Sequence, residues 1–178
     1  MTYLFLAPGF EEIEALATVD ILRRAGCELA TVGVGGKQIT GSHGIAVTAD
    51  LDEKEVRADS ADMVILPGGP GTKNLEQSSV MRQTVQYCAE NGKYIAAICA
   101  APSILGHMGL LKEHAATCFP GYEKELNAKE LSAESVCVSG TVITAKGAGV
   151  AVDFALKIVE VLYGTEKSNE LRMSIQCM

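Results

Sequence analysis

The sequence predicts an α/β fold, a three-layer α/β/α sandwich around a mostly parallel sheet, and three observations predict it. Short apolar segments alternate with longer segments of helical pattern, which is the order of βαβ units. The apolar segments MVIL and YIAAI are continuous, as in strands buried on both faces. The chain has 178 residues, about one domain's length, without a repeat or linker. We therefore expect a single domain over residues 1–178.

The first part of the chain is expected to form two strands, a helix and a hairpin. Residues 2–7 (TYLFLA) predict a short apolar strand, and residues 27–34 (CELATVGV) predict the next one. Between them, residues 11–26 predict a helix with acidic residues in its first turn, arginines in its last turn and a terminal glycine. Residues 35–50 have glycines around a turn, which is typical of a hairpin or two short strands.

The same alternation continues to the C-terminal part. Residues 62–69 predict a buried strand that runs into a glycine-rich loop, and residues 93–98 predict another buried strand. Residues 78–92 between them predict a helix with a serine cap and a glycine stop, and residues 101–109 a short helix with proline in its first turn. A pair of strands and a long apolar helix are expected over residues 135–145 and 149–164. The tail after them has no clear pattern.

Composition and charge exclude several classes of function. The formal net charge of −7 argues against a nucleic-acid partner, which requires a basic surface. The N-terminus lacks the basic and apolar regions of a secretory signal, and no apolar run approaches the roughly 20 residues of a membrane helix. We expect a soluble, cytoplasmic protein without nucleic-acid or membrane partners.

The cysteines do not form a metal-binding or disulfide pattern. There is no C-x-x-C pair and no zinc-site spacing of Cys and His, so no metal is predicted. A cytosolic chain with a large core does not need disulfides, and most of these thiols are expected to be small buried hydrophobes. The six are Cys27, Cys88, Cys99, Cys118, Cys137 and Cys177.

Three unusual segments follow the first, third and fourth predicted parallel strands. They are APGFEEIE, PGGPG and the cysteine of YIAAIC. In an open parallel sheet, ligands bind beyond the carboxyl ends of the strands. If these strands are neighbours, the three segments line one crevice.

Glu14 in the first segment is the candidate acid. It shares a helical face with Ala17 and Thr18, so we expect it to pack on the sheet and its pKa to rise through desolvation. Glu11 and Glu12 are interpreted as ordinary first-turn acids. The alternative for Glu14 is that it tilts out to solvent.

The other two segments predict anion-binding backbone and a nucleophile. PGGPG offers unobstructed N–H groups for an oxyanion, although it lacks the phosphate-loop spacing and is also compatible with a plain strand-to-helix turn. Cys99 follows its strand directly and has small neighbours, as a nucleophile on a sharp strand-to-helix turn requires. The helix that follows is expected to lower the pKa of the thiol. The alternative is a buried core cysteine.

Together these segments resemble the DJ-1/PfpI (DJ-1/ThiJ) family, and within it the DJ-1-like branch of bacterial type. The matching stretches are GFEEIEALATVDILRRAG, LPGGPGTKNL, YIAAICAAPSIL and GVAVDFALKIVE. The resemblance implies a flavodoxin-like three-layer α/β/α sandwich with a nucleophile elbow, usually as a homodimer and without a cofactor. It implies that Cys99 is the reactive cysteine, Glu14 the acid on its sulfur, and the N–H groups of Gly69 and Ala100 the oxyanion pocket.

Two departures from the family pattern limit the implied mechanisms. Protease-like members have histidine directly after the nucleophile, where this chain has Ala100, so a peptidase would lack its base. Animal DJ-1 sequences have histidine before the proline of the later loop, where this chain has Phe119 in a segment expected to approach the pocket.

Other residues have open interpretations. By the resemblance, His43 in the hairpin could line the active site of the partner subunit, or it is a solvent-exposed turn residue. Cys118 could line the pocket and resolve a sulfenate on Cys99, or it only packs in the core. His107 and His114 are expected to be structural or exposed.

The family resemblance implies two functions. The first is an enzyme that acts on small aldehydes or glycated substrates, as a glyoxalase without cofactor or a deglycase, with Cys99 as nucleophile and Glu14 relaying a proton. The second is an oxidative-stress sensor or protective protein through formation of sulfinic acid on Cys99. An amidotransferase-like or nucleotide-binding domain is disfavoured, because the sequence lacks the Cys–His pairing and the phosphate loop.

Overall fold

The structure, a computed structural model, describes residues 1–177 and is built on a seven-stranded sheet. The strands are Thr2–Leu6 (β1), Leu29–Gly33 (β2), Gln38–Thr40 (β3), Ala46–Thr48 (β4), Leu51–Asp52 (β5), Met63–Leu66 (β6), Tyr94–Ile98 (β7), Ala115–Ala116 (β8), Glu130–Leu131 (β9), Val136–Ser139 (β10) and Val142–Ala145 (β11). The helices are Glu12–Arg24 (α1), Thr72–Gln77 (α2), Ser79–Glu90 (α3), Pro102–His107 (α4), Ala151–Tyr163 (α5) and Thr165–Ser174 (α6).

The strand order brings the three candidate segments together. The main sheet runs β10-β11-β7-β6-β1-β2-β5, and all neighbours are parallel except the antiparallel pair β10 and β11. The carboxyl ends of β1, β6 and β7 are therefore adjacent at one edge. The loops that follow these three strands are the segments singled out in the sequence.

Helices cover both faces of the sheet, so the predicted sandwich is confirmed. In β1, Leu4 and Leu6 belong to the core formed with α1, α5 and α6. Tyr3 and Phe5 of the same strand belong to the core formed with α2, α3 and α4. The continuous apolar strands thus bury alternate side chains in two separate layers, as a sheet covered on both faces requires.

Most predicted elements are found within two or three residues of their expected ends. The α3 helix begins after Ser78, whose hydroxyl accepts the N–H of Met81 at 3.1 Å as an N-cap. The predicted hairpin over residues 35–50 is the antiparallel pair β3 and β4. The tail, for which no element is predicted, contains α6, which packs on α5. Within residues 1–177 no helix has both the length and the apolar character needed to cross a lipid bilayer.

Candidate active site

Cys99 stands at a strained turn between β7 and α4. Its φ is +66°, in the left-handed region that few residues other than glycine adopt. Its N–H donates to the carbonyl of Ala145 at 2.9 Å, which ties the turn to the neighbouring strand β11. Gly68 lies against it: a Cβ there would come within 2.6 Å of the Cys99 Cβ and 2.9 Å of Glu14 Oε2. The close approach of the loop after β6 thus depends on a residue without a side chain.

Glu14 is buried beside the sulfur, with 1% of its surface exposed. Its Oε2 accepts the N–H of Gly68 at 2.8 Å, and the carboxyl group lies beside the Cys99 thiol. The Oε1 atom has no hydrogen-bond partner among the described residues. Burial raises the pKa of Glu14 to about 7, although the Gly68 N–H and the contact with Cys99 favour the charged form. The prediction of a buried acid with a raised pKa is confirmed.

The expected lowering of the thiol pKa is not found, and this prediction is corrected. Burial, followed by the charge of Glu14, raises the pKa of Cys99 to about 12. The N–H groups of Gly69 and Ala100 work in the opposite direction. The α4 helix has only six residues, so its end does not outweigh desolvation and an adjacent carboxylate. Because Cys99 and Glu14 are two acids in contact, the proton of one controls the ionisation of the other.

The first backbone donor to the sulfur is the N–H of Gly69. Gly69 has φ +91°, and a Cβ there would lie 2.6 Å from the nitrogen of Glu11, so this position requires glycine. The peptide unit that carries this N–H has the Gly68 carbonyl at its other end, which accepts the N–H of Glu11 at 3.0 Å. An occupied carbonyl polarises the peptide and strengthens its N–H as a donor.

The second backbone donor to the sulfur is the N–H of Ala100, whose surroundings are similar to those of the Gly69 N–H. The carbonyl of Cys99, at the other end of the same peptide unit, accepts the N–H of Phe119 at 2.8 Å. Two polarised N–H groups from different loops therefore point at the same atom. Such a pair can hold negative charge on sulfur or on an oxygen bonded near it.

Cys99 opens into a cavity of about 700 Å³. Phe119 lines it and is 47% exposed, at the mouth. Gly147 lies beside both residues, since a Cβ there would lie 3.2 Å from Phe119 Cδ2 and 3.9 Å from the Cys99 sulfur. Cys118 does not line this cavity; it is 5% exposed and lines a separate one of about 290 Å³. Burial raises the pKa of the Cys118 thiol to about 11.

His107, interpreted as structural or exposed, lies in the wall of the same cavity. Its Nδ1 is 2.7 Å from Glu76 Oε1, and its Nε2 is 3.3 Å from Glu125 Oε2. The ring thereby links α4 to α2 and to the loop after β8. His107 follows Ser103 by four residues, so the two lie on the same face of α4. This spacing is the sequence signal that could have predicted His107 in the cavity wall.

His43 lies in the exposed turn of the β3–β4 hairpin and contacts Glu12. Its N–H donates to Glu12 Oε1 at 2.7 Å, and its Nδ1 is 2.9 Å from Glu12 Oε2. Burial alone would raise the pKa of Glu12, but hydrogen bonds from His43 and Ser42 outweigh it and lower the pKa to about 2. Glu12 is thus not the ordinary first-turn acid expected, since it binds the hairpin to α1.

Only one group in the described part of the chain has several metal-ligand atoms close together. Glu11, Glu12 and His43 each offer an atom within 4.8 Å of the others. Hydrogen bonds from Ser42 and His43 already occupy these carboxylates, and His43 is exposed. The cluster therefore serves as a link between hairpin and helix.

The fold and the site define an α/β protein with a cysteine at a nucleophile elbow beside a buried acid. The model of the DJ-1/PfpI family matches residues 2–161, and the chain belongs to that family. The family resemblance of the sequence is thereby confirmed.

Several known proteins are similar over nearly the whole chain. Protein dj-1beta of Drosophila melanogaster is 37% identical over 172 residues, covering 94% of this chain and 92% of the relative. Glutathione-independent glyoxalase DJR-1.2 of Caenorhabditis elegans is 36% identical over 163 residues, covering 90% and 87%. Among solved structures, oxidized DJ-1 of Toxoplasma gondii superposes with a TM-score of 0.95 at 32% identity, covering 98% of this chain and 97% of that chain.

Proposed function

We propose that this protein is a cofactor-independent glyoxalase that converts a small 2-oxoaldehyde, such as methylglyoxal, into the hydroxyacid. The observation that carries the proposal is the contact of a buried carboxyl group, Glu14, with the sulfur of Cys99 under two N–H groups. The similarity to a relative that is a glutathione-independent glyoxalase supports the same activity.

The reaction begins with the Cys99 sulfur, as thiolate, adding to the aldehyde carbon. The new C–S bond displaces the carbonyl electrons onto oxygen, which faces the N–H groups of Gly69 and Ala100 and takes up the proton of Glu14 to give a hemithioacetal. Glu14 removes the proton from this carbon and returns it to the adjacent carbonyl carbon, while the hydroxyl proton passes to the oxygen of that carbonyl group, which leaves a hydroxyacyl thioester. Water then cleaves the C–S bond, and the products are the hydroxyacid and the free thiol.

The state of Glu14 decides how the thiolate forms. With Glu14 ionised, its charge and burial hold the proton on sulfur. With Glu14 protonated near neutral pH, the carboxyl group beside the sulfur becomes a donor. A donor on the sulfur stabilises the thiolate. The acid and the nucleophile therefore act as one unit.

The cavity has room for more than a three-carbon aldehyde. Its volume of about 700 Å³ lies in the range that holds much larger ligands. Adducts of an oxoaldehyde with a side chain are therefore included in the proposed substrate class, as a deglycase activity. The same nucleophile and acid would serve both substrates.

The test is the formation of lactate from methylglyoxal by purified wild type and by Cys99→Ala. The variant is expected to lose all measurable activity because the bond-forming atom is gone. Cys88→Ala, which changes a buried cysteine of α3, is the matched control and should keep its rate. Retention of activity by Cys99→Ala would rule out the mechanism.

A second candidate function is oxidative-stress sensing through sulfinic acid on Cys99. The T. gondii relative was solved in an oxidized form, and two N–H groups and a carboxyl group here surround the sulfur as donors for added oxygen atoms. Cys27 and Cys177 are partly exposed like Cys99 and are the internal controls. Mass spectrometry after mild peroxide should find two oxygens on Cys99 first; equal oxidation of all three would reject this function.

The proposal includes a cytoplasmic homodimer without nucleic-acid or membrane partners. Ile13 on α1 and Ile45 in the hairpin are 56% and 52% exposed, in the two segments that the Glu12–His43 contact joins. Exposed apolar side chains of this kind are typical of interaction surfaces. Light scattering should give a molar mass twice that of one chain. Ile13→Lys should reduce the measured mass to that of one chain.

A further inference from the structure

Gly69 and Ala100 come from different loops, yet their carbonyl groups are held in the same way. The carbonyl of Gly69 accepts two hydrogen bonds from Thr72, from its N–H at 3.1 Å and from its hydroxyl at 2.8 Å. The carbonyl of Ala100 accepts two from Ser103, from its N–H at 3.1 Å and from its hydroxyl at 2.7 Å. Each residue that donates an N–H to the sulfur is thus followed, three positions later, by a hydroxyl residue that holds its carbonyl.

These hydroxyl groups are not helix caps. Both α2 and α4 begin without a side-chain N-cap, and the hydroxyls donate to carbonyl groups rather than accept from helical N–H groups. Thr72 and Ser103 are 7% and 3% exposed, and both line the cavity of Cys99. Because each hydroxyl donates to the carbonyl of a residue whose N–H faces the sulfur, its specific contribution is the hold on that carbonyl.

The hydroxyls complete the fixing of both donor residues. On the N-terminal side, the peptide unit of each donor is already held by a backbone hydrogen bond, from Glu11 for Gly69 and from Phe119 for Ala100. On the C-terminal side, the hydroxyls of Thr72 and Ser103 hold the next peptide unit. The backbone of Gly69 should be restricted the most by this hydrogen bond, because glycine has more freedom in φ and ψ than any other residue.

We propose that Thr72 and Ser103 are positioning residues, which fix the direction of the Gly69 and Ala100 N–H groups at the sulfur of Cys99. For its effect on turnover the proposal rests on the proposed function, but its effect on the thiol does not. Loss of one oxyanion donor lowers kcat by about 10²–10³-fold, so a donor that is only misdirected should lower kcat by roughly tenfold.

The test uses Thr72→Val and Ser103→Ala, which remove the hydroxyls and keep the approximate shape. Each should slow the alkylation of Cys99 by iodoacetamide at pH 7, followed by mass spectrometry, and shift its pH profile upward. The kcat for methylglyoxal should fall roughly tenfold with KM changed by less than about twofold, since the donors act mainly on developing charge. Thr72→Ser and Ser103→Thr keep the hydroxyls and should restore both properties.

Matched controls come from two buried residues whose hydroxyls also donate to backbone carbonyls but do not line the Cys99 cavity. Thr84 donates to the carbonyl of Val80 in α3, and Ser168 donates to the carbonyl of Leu156 between α6 and α5. Thr84→Val and Ser168→Ala should lower Tm as the test variants do, without changing alkylation or kcat.

Two outcomes are separated by these measurements. If Thr72→Val and Ser103→Ala lower Tm but leave the alkylation profile unchanged, the hydroxyls are only structural and the proposal is overturned. If the wild type has no glyoxalase activity but the profile shifts, the positioning role stands and the proposed function fails. Thr72→Ala replaces Thr72→Val if the valine variant does not fold.

Discussion

Glu12 and Glu14 lie two residues apart on α1 and are 5% and 1% exposed, yet their pKa values move in opposite directions. Glu12 lies against the hairpin turn and accepts hydrogen bonds from the N–H and ring of His43 and from Ser42. Glu14 lies against the sheet with the N–H of Gly68 and a thiol, a weak donor, and its Oε1 lacks a partner among the described residues.

The difference shows that burial alone does not decide the charge of a carboxyl group. A buried carboxylate with several donors stays ionised, and one with few donors is protonated more easily. Glu12 is therefore a fixed charge that holds the hairpin on α1. Glu14 is a group that can gain and lose a proton near neutral pH, as an acid–base role requires.

The largest effect should come from removing Glu14, the proposed proton carrier. Glu14→Gln keeps the size of the side chain but cannot transfer a proton, so kcat for methylglyoxal should fall by about 10²–10⁴-fold. Glu12→Gln should lower kcat by less than about tenfold, because Glu12 contacts the hairpin and not Cys99. Lactate formation measures both. Similar losses in the two variants would mean that α1 geometry, rather than proton transfer, limits the rate.

The next effect is on the pH dependence of stability. The pKa of Glu14 rises from an ordinary value near 4.5 to about 7 on folding, so the folded state binds this proton more tightly. Stability from this group is present below pH 4.5 and is lost as the pH rises through 7, by about 3 kcal/mol at most. Urea unfolding at pH 5 and pH 7.5 should show that Glu14→Gln lacks this loss.

Glu12 should behave in the opposite sense in the same experiment. Its pKa is lowered from near 4.5 to about 2, so its contribution is present above pH 4.5 and disappears as the pH falls toward 2. In a His43→Ala background, which removes the partner that titrates in this range, Glu12→Gln should therefore differ from its parent by the same amount at pH 5 and pH 7.5. If the wild type and Glu14→Gln also differ equally at both pH values, the pKa of Glu14 is not raised.

Each of the two carboxyl groups lies beside a glycine, and replacing these glycines tests the difference between Glu12 and Glu14 further. A Cβ at Gly68 would lie 2.6 Å from the Cys99 Cβ, and one at Gly41 would lie 2.4 Å from Glu12 Oε1. Gly68→Ala and Gly41→Ala should each cost about 1–3 kcal/mol, as overpacked sites do. Only Gly68→Ala should also change the alkylation of Cys99. Gly149→Ala, where a Cβ meets nothing within 4 Å, is the control for both measurements.

The sequence predicted what depends on local pattern and missed what depends on contacts between distant segments. Glu14 was found because the period of one helix places it on the sheet, and Cys99 because it ends a buried strand. Gly147 was missed because its place beside Cys99 depends on the pairing of β11 with β7. The order of strands in the sheet cannot be predicted from the sequence of either strand alone. The prediction of a lowered thiol pKa was wrong for a related reason. The helix that follows Cys99 is visible in the local sequence, but the burial of the thiol depends on distant segments.

Glu12 illustrates the same limit. Three acidic residues near the start of α1 look equivalent in the sequence, and the helix period separates only Glu14 from the others. The donors that distinguish Glu12 come from the hairpin turn, about thirty residues later. A Cβ at Gly41 would overlap Glu12, so the contact requires glycine at this position. This requirement can be recognised only when it is known that the two segments meet.

The smallest effect should come from His43, the exposed half of the Glu12 contact. The hydrogen bond to Glu12 and the charge of Glu11 raise the pKa of His43, so its contribution to stability is present below pH 6.5 and is lost as the pH rises through the raised value. His43→Ala should thus lower Tm slightly at pH 5.5 and less at pH 9, while the N–H of residue 43 and Ser42 still bind Glu12. In a Glu12→Gln background the pH dependence should shrink to the part that the charge of Glu11 supplies, because Glu12 is the hydrogen-bond partner of His43. A loss that is the same at both pH values and in both backgrounds would show that the imidazole contributes by packing and not by charge.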